Sequence, residues 1–187
     1  NQYTFEPTQV ILAKDRLSYY FSEKAKEVSF EDYKQGDKLI PWEVVEEFKG
    51  SDLDGIEYEQ LMPYVQPDKP AFRVIIGDFV TTSDGTGIVH IAPTFGADDR
   101  RVAELAGIPG ITVKDEKDND VPLVNKKGEF VLEVTDFANE PVKQEYLTEI
   151  PEGYKNVDIR ISIKLKEENK AFKVEKYEHS YPHCWRT

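Results

Sequence analysis

The chain has 187 residues and a formal net charge of −12 at neutral pH, long enough for one domain with a true core or at most two small ones. Hydrophobic residues make up 39% and aromatics 12%, which excludes a disordered tail. So acidic a chain repels polyanions, so any contact with RNA must be local or supplied by other domains, and no apolar run nears the ~18–20 residues of a membrane span.

The first residues, NQYTF, have neither the basic end nor the apolar core of a signal peptide. A single cysteine, Cys184, precludes an internal disulfide and fits a reducing, cytoplasmic compartment. Along the chain, residues 9–13 (QVILA) read as a short strand. Residues 39–49 carry Pro41 near the start, then Trp42, Val44, Val45 and Phe48, with Gly50 just past the end. That is the punctuation of a short helix. Residues 71–82 (AFRVIIGDFVTT) form a long β-type run, followed by Asp84-Gly85 and a second apolar run, 87–92 (GIVHIA). An Asp-Gly turn between two such runs predicts a hairpin. Residues 98–106 read as a helix, with Asp98 at its start and Gly107 past its end. Short strands are expected at 111–113, 121–124 and 129–134. Residues 157–172 are ambiguous. Val157, Ile159, Ile161, Ile163 and Leu165 alternate like a strand, while the Lys- and Glu-rich second half favours a helix. Many short strands with a few helices predict a mixed α+β, barrel-like domain.

The stretch most able to carry chemistry runs from Asp84 to Asp99 (DGTGIVHIAPTFGADD). Gly85 and Gly87 flank Thr86, where backbone can approach a ligand closely. His90 falls in the predicted strand, sharing a face with Ile88 and Ala92. Pro93 ends that strand, and a loop leads to Asp98 and Asp99 at a helix start, where the helix dipole adds partial positive charge. An imidazole and a carboxylate could converge there. On residue types alone, a core histidine and an N-capping aspartate account for the same pattern. His90, His179, His183 and Cys184 show no regular zinc spacing, so no metal site is assigned. Neither a nucleophile elbow nor a phosphate loop is present.

The run GTGIVHIAP (85–93), then Phe95-Gly96 and Asp98-Asp99, closely resembles the editing-domain signature of isoleucyl-tRNA synthetases. Three further stretches agree in the same order: FKGSDL (48–53) with Gly55, Tyr58 and Glu59; DFVTTSD (78–84); and EHSYPHCWR (178–186). His90 together with YPHCWR resembles the isoleucyl rather than the valyl or leucyl branch. The resemblance implies one barrel-like editing domain over residues 1–187, with peripheral helices, that hydrolyses valyl-tRNA(Ile) within a larger ligase. It implies that Asp99 holds the substrate's α-ammonium and that His90 shapes the side-chain pocket so that valine fits and isoleucine collides; a catalytic role for His90 as general base is compatible with the resemblance but not required by it. It further implies that Thr86, Gly87 and Val89 line the bound aminoacyl-adenosine. No cofactor is implied in this domain; ATP, and in many members zinc, belong to the parent enzyme. The implied partners are the aminoacyl-tRNA 3′ end and the remainder of the synthetase, with no membrane.

Two departures stand out. The family's threonine-rich strand, TTTPWTLP, is not found and is expected upstream of Asn1. Thr187 stands where many members carry a second cysteine. The competing readings are a non-catalytic β-rich module that binds RNA or protein, and a metal hydrolase built on His90, Asp98 and Asp99. The 157–172 segment, by the family's arrangement, is expected to be mainly helix over 158–169.

Overall fold

A computed structural model describes residues 6–34 and 36–176. The 178–186 run with His179, His183 and Cys184, and Thr187, lie outside the described residues. In chain order the regular elements are α1 (Leu17–Tyr20), α2 (Ala97–Leu105), β1 (Thr112–Lys114), β2 (Asp120–Pro122) and α3 (Val157–Glu167), joined by 3-10 turns and extended segments.

The ambiguous segment resolves as α3. Asn156 caps it, its side chain accepting the Ile159 N–H at 3.0 Å. Val157, buried to 2% exposure, and Ile161 one turn later share the inward face, while Ile159 is left about half exposed. A helix satisfies the pattern better than a strand because its last turn also gains the Lys164–Glu168 pair at 2.8 Å. The helix stops at Asn169, in the left-handed region (φ 55°), where the Lys170 N–H reaches the Leu165 carbonyl at 2.8 Å. Asn156→Ala should cost about 1 kcal/mol, seen as a lower urea midpoint with an unchanged slope.

Around α3 the main core gathers Val134, Phe137 and Val157, with Met62, Tyr64, Leu123, Phe130 and Val131 packed against them. Polar groups fix its rim. The Tyr64 hydroxyl donates to Asp136 at 2.7 Å, and desolvation, then that bond, push the phenol up to about 12. A second cluster forms where Phe21 stacks on Trp42 (centroids 5.2 Å apart) and lies 5.9 Å from Phe172.

β1 and β2 form an antiparallel ladder pairing Thr112 with Pro122, Val113 with Val121 and Lys114 with Asp120. Their positions match the expected strands to within a residue or two. Asp115 fixes the connection by accepting the N–H groups of Lys117 and Asn119, both at 2.9 Å.

The mixed α and β class is as expected, but among the described residues the sheet has two strands and does not close into a barrel. The 71–82/87–92 hairpin does not form, because its hydrogen-bonding groups are engaged elsewhere. Residues 72 and 74 pair with 56 and 58, through Tyr58 N–H to Phe72 O at 2.9 Å and Val74 N–H to Ile56 O at 2.8 Å. The carbonyls of Ser83, Gly85 and Thr86 are taken by Arg16 and Ala13.

The expected helix at 39–49 is also corrected: this stretch forms no helix and carries no regular secondary structure. Buried Trp42 is pinned through its Nε1–H to the Ser22 carbonyl at 2.9 Å. Its successors Val44 and Val45 are β-branched and exposed, so a helix there would have low propensity and nothing to pack on. Residues 9–13 form no strand, the Ala13 N–H bonding Thr86 O, and 129–134 contributes isolated bridges, Val124 with Phe130 and Glu129 with Pro141.

Candidate functional site

The site residues are delivered by a turn, an irregular segment and the first turn of α2. At the turn, Gly85 and Gly87 both adopt positive φ, 57° and 79°, a conformation only glycine takes cheaply. Gly87 has a second reason to be glycine: a Cβ there would sit 2.5 Å from the Ala13 Cβ. Between them, half-buried Thr86 closes a local turn, its hydroxyl donating to the Ile88 carbonyl at 3.1 Å.

Beyond the turn, residues 88–92 carry no regular secondary structure. Ile88, Val89 and His90 are exposed, whereas Ile91 and Ala92 are half-buried. His90 therefore does not sit in an apolar core. Its ring makes no hydrogen bond among the described residues and is reachable from solvent.

Residues 92–96 bend back, with Phe95 N–H donating to Ala92 O at 2.9 Å, and α2 begins. Gly96 is the N-cap residue and offers no side chain to the helix. Asp98 and Asp99 occupy the first turn but do different things. Asp98 turns to Arg101 at 3.8 Å, and Arg101 in turn binds Asp78 at 2.8 Å, holding that carboxyl below the usual range. Asp99 instead turns back over the loop, its Oδ1 accepting the Ala92 N–H at 2.9 Å. The carboxylate thus lies against backbone two residues past His90. Its Oδ2 hangs over Gly96, 2.0 Å from where a Cβ would stand, so only glycine at position 96 permits this pose. α2 ends in a close at Gly107 (φ 69°), with Ile108 N–H bonded to Ala103 O at 2.8 Å.

Of the residues singled out from sequence, Asp99 and the Ala92 end of the His90 segment are directly joined, and Thr86 and Gly87 share one turn upstream. Asp98 is drawn away toward Arg101. Two clefts, of about 580 and 670 Å³, lie elsewhere. The first runs between Arg73, Asp78, Arg101 and Leu105, and the second between Tyr64, Asp136, Lys164 and Lys170. Neither is lined by Thr86, Gly87, Val89, His90 or Asp99. Among the described residues no group of three or more His, Cys, Asp or Glu side chains is placed to hold a metal ion, and no helix is long and apolar enough to cross a membrane.

Sequence reading missed Asp15 and Arg16. The Arg16 guanidinium donates from Nε to Gly85 O at 2.8 Å and from one terminal nitrogen to Ser83 O at 3.0 Å. The Thr82 hydroxyl donates to Asp15 at 2.8 Å, and the Ala13 N–H to Thr86 O at 2.7 Å. The only signal in the sequence is an Asp-Arg pair after an apolar run, which carries no local meaning.

No family model matches the chain. Among curated proteins, it is 67% identical to isoleucine–tRNA ligase of Cytophaga hutchinsonii over 197 aligned residues, covering 100% of this chain and 18% of the relative. It is 48% identical to the Bacteroides fragilis ligase, with the same two coverages. The Treponema denticola ligase is 35% identical over 97% of this chain and 15% of its own length. The chain thus spans less than a fifth of the length of the relatives it matches.

Proposed function

The chain belongs to the isoleucine–tRNA ligase family, and from that premise we propose that it is the ligase's editing domain, a hydrolase that removes valine esterified to tRNA(Ile). The observation that carries this reading is the Asp99 carboxylate fixed against the Ala92 N–H, two residues along the chain from a solvent-reachable His90, within a run that resembles the editing signature.

The chemistry asked of such a site is limited. An aminoacyl ester is already activated, so placing a water and stabilising the developing oxyanion can suffice without a protein nucleophile. Asp99, held at the start of α2, is the group for the substrate's α-ammonium. In this reading His90 is the group that meets the side chain of the amino acid and the attacking water, as steric wall or as base. The backbone of Thr86 and Gly87 faces the terminal adenosine. The need for such a site is physical. A synthetic pocket sized for isoleucine gains only ~1–3 kcal/mol from the extra methylene, and isoleucyl enzymes are themselves the standard illustration of that limit. A second, hydrolytic site that admits the smaller residue closes the gap.

The net charge of −12 favours one alternative, a non-catalytic module. In the editing reading the same charge means that the rest of the ligase holds the tRNA and presents only its 3′ end. Comparing the full-length ligase with a variant lacking this 187-residue segment separates the two. Release of valine from valyl-tRNA(Ile) should be fast with the full-length protein and fall to the spontaneous rate without the segment. Equal release by both proteins would remove the hydrolytic role.

A further inference from the structure

We propose that Arg16 is a positioning residue for the 83–87 turn, bracing that backbone in the shape that receives the aminoacyl end of the tRNA; the substrate named here rests on the editing reading. A guanidinium is planar and presents its donors at fixed spacing. Two bonds from one such group, to Ser83 O and Gly85 O, fix both the separation and the direction of the two carbonyls. The turn needs this help. Gly85 and Gly87, both at positive φ, leave it with little conformational preference of its own.

The brace is itself anchored. The Arg16 guanidinium lies 4.5 Å over the Tyr19 ring. The Tyr19 hydroxyl donates to Glu175 at 3.1 Å, and Lys173 pairs with the same carboxylate at 2.7 Å. Asp15, next in the chain, holds the entry to the turn through Thr82. Ordering a loop before the substrate arrives lowers the entropy lost on binding. The brace should therefore act on substrate affinity and leave the chemical step nearly untouched.

The test is deacylation of valyl-tRNA(Ile) by the full-length ligase over a range of substrate concentrations. Arg16→Ala should raise KM by about tenfold or more while kcat stays within about threefold. Arg16→Lys keeps the charge but not the fork and should recover only part of the loss. Added methylguanidinium should lower the KM of Arg16→Ala. Aminoacylation with isoleucine should not change. A wild-type KM in Arg16→Ala, or full recovery in Arg16→Lys, would overturn the proposal. Amide exchange on the same full-length proteins decides the brace independently of substrate. Faster exchange confined to 83–87 and its contacts in Arg16→Ala supports it, and unchanged exchange there refutes it. A wild-type enzyme that does not deacylate valyl-tRNA(Ile) would sink the editing reading, and the exchange result would still stand or fall alone.

Discussion

Replacing Asp99 with alanine in the full-length ligase is expected to lower deacylation of valyl-tRNA(Ile) by about a hundredfold or more, with aminoacylation spared. An ammonium held away from bulk water needs a paired carboxylate, and losing a charge-assisted hydrogen bond there costs about 3 kcal/mol. Asp99 also accepts the Ala92 N–H, so alanine removes a loop contact as well as a charge. Asparagine separates the two. Its side-chain oxygen can still accept from Ala92, but it brings no charge. Asp99→Asn should therefore keep the loop and lose deacylation nearly as fully as alanine does. If Asp99→Asn edits at the wild-type rate, the carboxylate serves only the loop and the ammonium assignment is wrong. Synthesis of isoleucyl-tRNA, measured on the same preparations, controls for folding.

His90→Ala is expected to act on specificity rather than on rate. Hydrolysis of correctly charged isoleucyl-tRNA(Ile) should rise by about tenfold or more, because one methylene can be excluded only by a hard wall and not by weaker attraction. Valine removal should fall by less than about a hundredfold, below the loss that removal of an obligatory general base would bring. The exposure of His90 makes this a clean experiment. Its ring packs in no core and bonds no neighbour among the described residues, so truncation should shift stability by no more than about 0.5 kcal/mol. A change in selectivity then reports on the site and not on the fold. Unchanged discrimination against isoleucine would remove His90 from the pocket.

What the sequence made legible was local. α2 announced itself through Asp98 at its start and Gly107 past its end, whereas α3 was ambiguous in pattern, its strand-like alternation set against a Lys- and Glu-rich second half, and only the family's arrangement pointed to helix. The β1–β2 ladder lay between charged connections and needed partners only a few residues apart. The barrel and the hairpin were not legible because strand pairing is a contest between distant candidates. Residues 72 and 74 pair with 56 and 58, and carbonyls of the 83–87 turn bond Arg16 and Ala13, so the two runs do not pair with each other. The 39–49 stretch carried helix punctuation, yet Trp42 docks as a single buried anchor and the exposed valines after it have nothing to pack a helix against. The candidate site divides the same way. Its motif, from Thr86 to Asp99, stood out by residue type. Its brace did not, since nothing in the neighbourhood of Arg16 says which carbonyls it will reach.

The contact between Asp99 and the bare face of Gly96 carries an evolutionary consequence. Gly96 has an ordinary extended backbone, φ −124° and ψ 141°, which any residue could adopt. Its constraint comes wholly from the carboxylate resting where a Cβ would be. Glycine at 96 is thus conditional on aspartate at 99: while the acid is kept in this pose, any larger residue at 96 displaces it, and once the acid is gone the position is released to drift. The two sites form an epistatic pair, in which the order of substitutions matters, since losing the acid first is permissive and losing the glycine first is not. Across descendants of such a domain, a bulky residue at 96 would therefore mark lineages in which the acid no longer does its work, even where an aspartate still stands in the sequence.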